Sequence, residues 1–188
     1  MLKAVIVGNA PEVLSNTNGE FIDSCDCIVR FNDFIIKGYE ESIGTKTTHW
    51  CVSIFSVYNL IHNQNKACDA NLGGMREMWT SSINLDARGE VAKFVFNYSG
   101  LSPAFVRTYN RQLEMFYTKV LGVAPSNGFM AVVTAIEILD DYDIYITGFG
   151  DGDGHYYNEA HPKGTHDFNR ERFMLDSLVN VIERVRYV

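Results

Sequence analysis

Cysteine, proline and histidine are scarce in this 188-residue chain, at four, four and five, and each scarcity excludes something. Cys25, Cys27, Cys51 and Cys68 have no CxxC spacing and no regular framework. They therefore indicate neither a zinc cluster nor a disulfide scaffold, and read as scattered core thiols of a reducing compartment. No apolar run is long enough to cross a bilayer, and the one that ends at Gly8 is too short even for a secretory leader. A soluble, cytoplasmic protein is expected on that ground. Positive charge is short as well: 16 Lys and Arg face 23 Asp and Glu, a net charge of −7. Neither nucleic acid nor an anionic membrane is expected as a partner. An anionic ligand would have to be drawn in by local geometry, against the global field. Repeats, low-complexity tracts and linkers are absent too, so residues 1–188 are expected to form one catalytic-sized domain.

What remains is 46% hydrophobic and 13% aromatic, ample for a core and too apolar for disorder. Residues 3–7 predict a short buried strand that breaks into Gly8-Asn9-Ala10-Pro11. Nucleotide-binding α/β domains often open this way, although Ala10 and Val13 interrupt a full GxGxxG pattern. Further strands are predicted at 27–31, closed by Asn32-Asp33, and at 47–53, 78–81 and 93–97. Phe105, Leu113, Phe116, Tyr117 and Val120 give 103–120 a helical spacing. Pro125-Ser126-Asn127-Gly128 leads into an apolar helix over 129–139, with Ser126 or Asn127 as its cap. A strand over 143–147 ends in Gly148-Phe149-Gly150. The last helix, capped by Thr165 or Asp167, has apolar positions 168, 175, 178, 179, 182 and 185. This alternation predicts an α/β fold around a mostly parallel central sheet with helices on both faces.

Ligands of such folds bind where strand ends hand over to loops and helix N-termini. Gly8-Asn9, Arg30-Phe31-Asn32 and Gly148-Phe149-Gly150 hold that position in the sequence. The turn at Ser126-Asn127-Gly128 is either an anion site, built from free N–H groups and a glycine that lets an anion approach, or no more than a good helix start. Three of the five histidines crowd into the stretch GHYYNEAHPKGTHDFNRE, residues 154–171. A metal could draw on His155, Glu159, His161 and His166, or on the Asp151 and Asp153 pair. That spacing fits no familiar zinc pattern, and a calcium loop from Asp151 would need a carboxylate where Pro162 stands. Acid/base chemistry fits the stretch better. His166 directly precedes the last helix, whose first turn can fix its ring, and Glu171 is placed to orient or support it. A neutral imidazole there could take a proton from a sugar hydroxyl, and His155 could donate to a leaving phosphate. His49, His62 and His161 read as ordinary polar or core positions.

Taken together, these segments resemble a known family. AVIVGNAPEVL and IDSCDCIVRFNDFIIKGYEESIGTKTTHW are similar to the large sialylmotif of the eukaryotic-type sialyltransferases, glycosyltransferase family 29. PSNGFMAVVTAIEILDDYDIYITGFG resembles their small motif, HYYNE their motif III, and HDFNRE the H-x4-E form of their very small motif. The four occur in the family's order. The resemblance implies a Rossmann-like variant of the GT-A fold and an inverting transfer of sialic acid from CMP-sialic acid to a glycan hydroxyl. No metal or other cofactor is implied, the CMP-sugar being a substrate. Carried onto this chain, Asn9, Asn32 and the adjoining Gly8 would bind CMP, and Ser126, Asn127, Gly128 and Gly150 would line the donor site. His155 would steady the departing phosphate, and His166 would be the general base. One phosphate needs no metal in the way a diphosphate does, and a base on the far face gives inversion. The chain departs from the family at Ala4 and Leu139, which stand where secretory members carry a disulfide, and at Asn127, where Thr is usual. Anchor and stem are not seen. A CMP-Kdo-dependent transferase and a CMP-binding relative without activity are the alternatives.

Overall fold

A computed structural model of the chain describes residues 1–53, 74–81, 106–150, 154–157 and 166–188. Among the described residues, seven strands form one sheet: β1 (Leu2–Val7), β2 (Cys27–Phe31), β3 (His49–Cys51), β4 (Glu77–Thr80), β5 (Val106–Thr108), β6 (Tyr142–Thr147) and β7 (Val185–Tyr187). Their spatial order is β5-β4-β3-β2-β1-β6-β7, and every pair is parallel. Starting at β1, the chain runs outward through β2 to β5, then returns to the other side of β1 for β6 and β7. The winding therefore reverses between β1 and β6, the switch point at which open α/β sheets bind ligands beyond their carboxyl ends.

Parallel strands are covered on both faces, so they read as unbroken apolar runs. Ala4, Val5 and Ile6 are fully buried, and neighbours along a strand enter opposite core clusters. One face buries Ala4, Ile6, Val29 and Ile144 under two helices, α4 (Asn127–Ile138) and α5 (Phe168–Val181). The other face buries Val5, Val7, Ile28 and Trp50 under a 3-10 turn at Pro11–Ser15 and two short helices, α1 (Gly19–Ser24) and α2 (Glu40–Ile43). Helix α3 (Arg111–Leu121) adds Leu113 and Tyr117 to the edge of the first cluster.

Helix α4 is apolar all round because it lies in the interior, with residues 128–135 all buried. Its last carbonyls have no glycine cap. Instead the Arg184 guanidinium donates to Ile136 O at 2.6 Å and Leu139 O at 2.8 Å, satisfying groups that a helix end leaves open.

Two expectations are corrected. The helix predicted over 103–120 is a strand followed by a helix. Val106, Arg107 and Thr108 pair with Met78, Trp79 and Thr80, and α3 starts only after Asn110, whose side chain accepts from Gln112 N at 3.0 Å. Tertiary pairing of a β-branched run overrides a helical spacing there. Of the spaced positions, Leu113 and Tyr117 turn inward together with Leu121, while Phe116 and Val120 are exposed. Position 185 likewise leaves the last helix. Val185 is the start of edge strand β7, paired with Ile144. The predicted strand at 93–97 lies outside the described residues.

Candidate active site

At the switch point, β1 and β6 end side by side in glycine turns. Gly8 N donates to Thr147 O at 2.7 Å and Ala10 N to Gly148 O at 3.0 Å. A Cβ on Gly8 would stand 1.9 Å from Gly148 O, so the glycine exists to let two main chains touch. A Cβ on Gly150 would stand 2.2 Å from a Glu12 carboxylate oxygen, which ties that turn to the 3-10 segment after β1. Asn9, directly after Gly8, is buried, and its Nδ2 donates to Phe31 O at 3.2 Å and Asp33 O at 3.1 Å. One side chain thus fastens the exit of β1 to the exit of β2.

At that exit Asn32 adopts φ +51°, the left-handed conformation that asparagine tolerates better than most residues. Its backbone links strands: N donates to Cys51 O at 2.8 Å, and its carbonyl accepts from Trp50 Nε1 at 2.9 Å. The side-chain oxygen accepts from Ser53 N at 3.2 Å and from Asn127 Nδ2 at 2.9 Å. Asn32 and Asn127, assigned to the site from separate stretches, are therefore in direct contact.

Ser126 is the cap of α4. Its Oγ accepts from Phe129 N at 3.1 Å and donates to Glu171 Oε2 at 2.6 Å, while its N–H donates to Glu171 Oε1 at 2.6 Å. Glu171, only 4% exposed, is thus an anion of the chain's own at the positive end of this helix. Burial pushes its carboxyl above the usual carboxylate range. The two bonds from Ser126 and the nearby His166 pull it back. The space above the Gly128 α-carbon is likewise taken: a Cβ would meet the Phe31 ring at 2.8 Å and the Phe149 ring at 3.2 Å. The glycine makes way for aromatic packing.

His166 stands just ahead of α5, whose cap Asp167 accepts from Arg170 N. Its Nδ1 lies 2.8 Å from Ala124 O. A carbonyl oxygen can only accept, so Nδ1 is the donor in this bond, and in the neutral ring the lone pair then falls on Nε2. That is the tautomer a general base requires.

His155 follows the buried Gly154, whose φ of +107° suits only glycine. The next two residues fasten it. Tyr156 N donates to Asn9 O at 2.8 Å, and the Tyr156 hydroxyl donates to Ile35 O at 2.7 Å and accepts from Ile35 N at 3.1 Å. The Tyr157 hydroxyl donates to Asp33 O at 2.5 Å. Phe31, Asp33, Tyr156 and Tyr157 are the residues that sequence reasoning left unassigned. Their position inside RFND and HYYNE was the available signal. Asp151, Asp153, Glu159, His161 and Thr165 lie outside the described residues.

Asn9, Asn32, Asn127, Ser126, Glu171 and the turns bearing His155 and His166 are thus gathered at one end of the sheet. The arrangement defines an α/β protein with a polar, histidine-bearing network at the switch point of a parallel sheet. The chain belongs to glycosyltransferase family 29 (sialyltransferase), whose sequence model matches residues 1–78 and 72–181.

Among individual proteins, it is 25% identical over 203 residues to the mouse CMP-N-acetylneuraminate-beta-galactosamide-alpha-2,3-sialyltransferase 2, covering 94% of this chain and 54% of that protein. It is 27% identical over 199 residues to the human alpha-2,3-sialyltransferase 1 of the same naming, covering 95% of this chain and 56% of that one. The chain therefore spans about half the length of these curated relatives. In fold it is similar to a mammalian sialyltransferase crystal structure, with a TM-score of 0.69 at 20% identity over 100% of this chain and 68% of that one. It is also similar to the Campylobacter jejuni sialyltransferase CstII in complex with cytidine-5'-monophosphate, with a TM-score of 0.60 at 16% identity over 100% and 79%. No helix among the described residues is long and apolar enough to cross a membrane.

Proposed function

We propose that this chain is the catalytic core of an inverting, metal-independent sialyltransferase that moves sialic acid from CMP-sialic acid to a glycan hydroxyl. The observation that carries the reading is the state of His166. In a chain of this family, its imidazole is held through Nδ1 by Ala124 O, so that the neutral ring presents Nε2 as an acceptor, beside the start of α4. Nε2 takes the proton of the acceptor hydroxyl as that oxygen bonds to the anomeric carbon of the sugar. The bond from that carbon to the phosphate breaks, and its electron pair leaves with CMP. A positioned base of this kind contributes about 10²–10⁴ in rate.

Asn9 and Asn32 hold the CMP moiety, with Gly8 shaping the turn. Asn127 and the Ser126-Gly128 segment border the donor, and His155 steadies the departing phosphate. Glu171 acts beneath them by fixing the start of α4. A single phosphate carries less charge than a diphosphate, so His155 and main-chain N–H groups suffice to hold it and no metal cofactor is used. Donor naming in the relatives, and a CMP complex of a structural neighbour, support this choice of donor. We assign the fold as a Rossmann-like variant of the GT-A type. We also assign the protein to the cytoplasm, a setting supported by Cys25, Cys27 and Cys51, all buried and outside any disulfide, and by Ala4 and Leu139.

The test is chromatographic. CMP release is measured in EDTA from CMP-sialic acid and from CMP-Kdo, with and without galactoside acceptors. Acceptor-stimulated release from CMP-sialic acid is the expected result. Release that requires an added divalent metal, or that occurs from CMP-Kdo alone, would overturn the reading. His166→Ala is expected to abolish transfer and leave CMP affinity intact, while Asn32→Ala weakens CMP binding in calorimetry. Transfer at the parental rate by the first variant refutes the base.

A further inference from the structure

We infer that Tyr157 is a positioning residue for His155, and that it shares one main-chain anchor with the donor-site residue Asn9. The inference rests on the transferase reading and adds a residue to it. The Tyr157 ring lies 5.2 Å from the His155 ring, centroid to centroid, tilted by 50°. The same ring also meets Tyr156 edge-on at 4.9 Å and 86°. The two tyrosines divide the work. Tyr156 is buried and sews the backbone of this turn to Asn9 and Ile35. Tyr157 is half-buried at the margin of the core and stands as a wall beside the imidazole.

An imidazole on two side-chain torsions can swing away from a leaving phosphate, and a flat ring on one side removes part of that freedom. The wall is itself fixed, because its hydroxyl donates to Asp33 O at 2.5 Å across 124 residues of sequence. The same carbonyl accepts Asn9 Nδ2 at 3.1 Å. A carbonyl oxygen has two lone pairs, so it serves both donors at once. The Asn9 bond to Asp33 O does not pass through Tyr157, so it stays in place when the tyrosine hydroxyl is removed.

The test compares Tyr157→Phe and Tyr157→Leu with the parent in the full chain. Three quantities are read: kcat and KM for transfer, CMP affinity by calorimetry, and the ring carbon–proton NMR signal of His155 with and without CMP. Absence of that signal in His155→Gln identifies it. Tyr157→Phe keeps the wall and loses one hydrogen bond, so kcat falls about fivefold. Tyr157→Leu removes the wall and kcat falls about a hundredfold, the cost of a misplaced reacting group. CMP affinity stays within about twofold in both, since this residue positions His155 and does not hold CMP. In the Leu variant with CMP, the His155 signal moves or broadens.

A Leu variant with parental kcat overturns the inference, as does CMP affinity falling in step with kcat. If the Leu variant does not fold, Tyr157→Phe decides: parental kcat with an unmoved His155 signal overturns the inference. If the parent transfers nothing, the transferase reading fails by itself. The NMR comparison then still decides the positioning, and an unmoved His155 signal in the CMP-bound Leu variant refutes it.

Discussion

Removing one oxygen at Ser126 tests how the start of α4 is held. Ser126 Oγ does two jobs at once, accepting from Phe129 N at 3.1 Å and donating to Glu171 Oε2 at 2.6 Å. In Ser126→Ala the lost cap costs about 1 kcal/mol. Glu171, 4% exposed, also loses one of the two bonds it receives from Ser126, and a hydrogen bond to a charged group is worth roughly 1.5–3 kcal/mol. The expected loss is therefore about 2.5–4 kcal/mol, or a fall in Tm of about 5–15 °C for a chain of this size.

The pH dependence is specific. Glu171 already sits above its ordinary value of 4.5 because of burial, and the Ser126 side-chain bond opposes that rise. Without the bond it rises further, so the folded variant favours the protonated acid more strongly than the parent does. A raised carboxyl pKa costs stability as pH climbs through it. The deficit of the variant should be smallest below pH 4.5 and widen toward neutrality. Urea unfolding of parent and variant from pH 4 to 8 reads this directly. A deficit under about 1 kcal/mol, or one that does not change with pH, refutes the two-job account of Ser126.

Two other perturbations follow from the geometry. Gly8→Ala puts a Cβ 1.9 Å from Gly148 O and 2.5 Å from Gly148 C, both main chain, so the β1 and β6 turns must separate. A loss of roughly 3 kcal/mol or more is expected in denaturant titration, and a variant as stable as the parent would show that these turns yield easily. His49, with a side chain 12% exposed, is pushed down by burial from 6.5 to about 4. Its contribution to stability is present above pH 6.5 and lost as pH falls toward 4, roughly 3 kcal/mol in all. His49→Gln should flatten that limb of the stability curve, and an unchanged acid limb would place the sensitivity elsewhere.

Much of the molecule was legible before folding. The apolar runs of β1 and β6, the helix after Pro125 with Ser126 as cap, and the cap at Asp167 all follow rules that act within a few residues. The residues of the candidate site were legible too, because they stand in four short stretches whose order and spacing resemble a family. Local pattern failed at Val106–Thr108, where a helical spacing gave way to pairing with β4, and at Val185–Tyr187, an edge strand too short to show a period of its own.

Other features were decided only by tertiary structure. Asn32 and Asn127 are 95 residues apart, Ser126 and Glu171 are 45 apart, and Tyr157 and Asp33 are 124 apart. No propensity or capping rule reaches that far. These pairs meet because the chain places β6 on the opposite side of β1 from β2, which brings three strand ends and the start of α4 to one edge. The sequence by itself determined which side chains have acid/base or hydrogen-bonding groups to offer, since that depends on their functional groups. The winding of the sheet decided which of them touch, which nitrogen of His166 meets Ala124 O, and that the carboxyl group at the start of α4 is that of Glu171, because distance and burial set those outcomes.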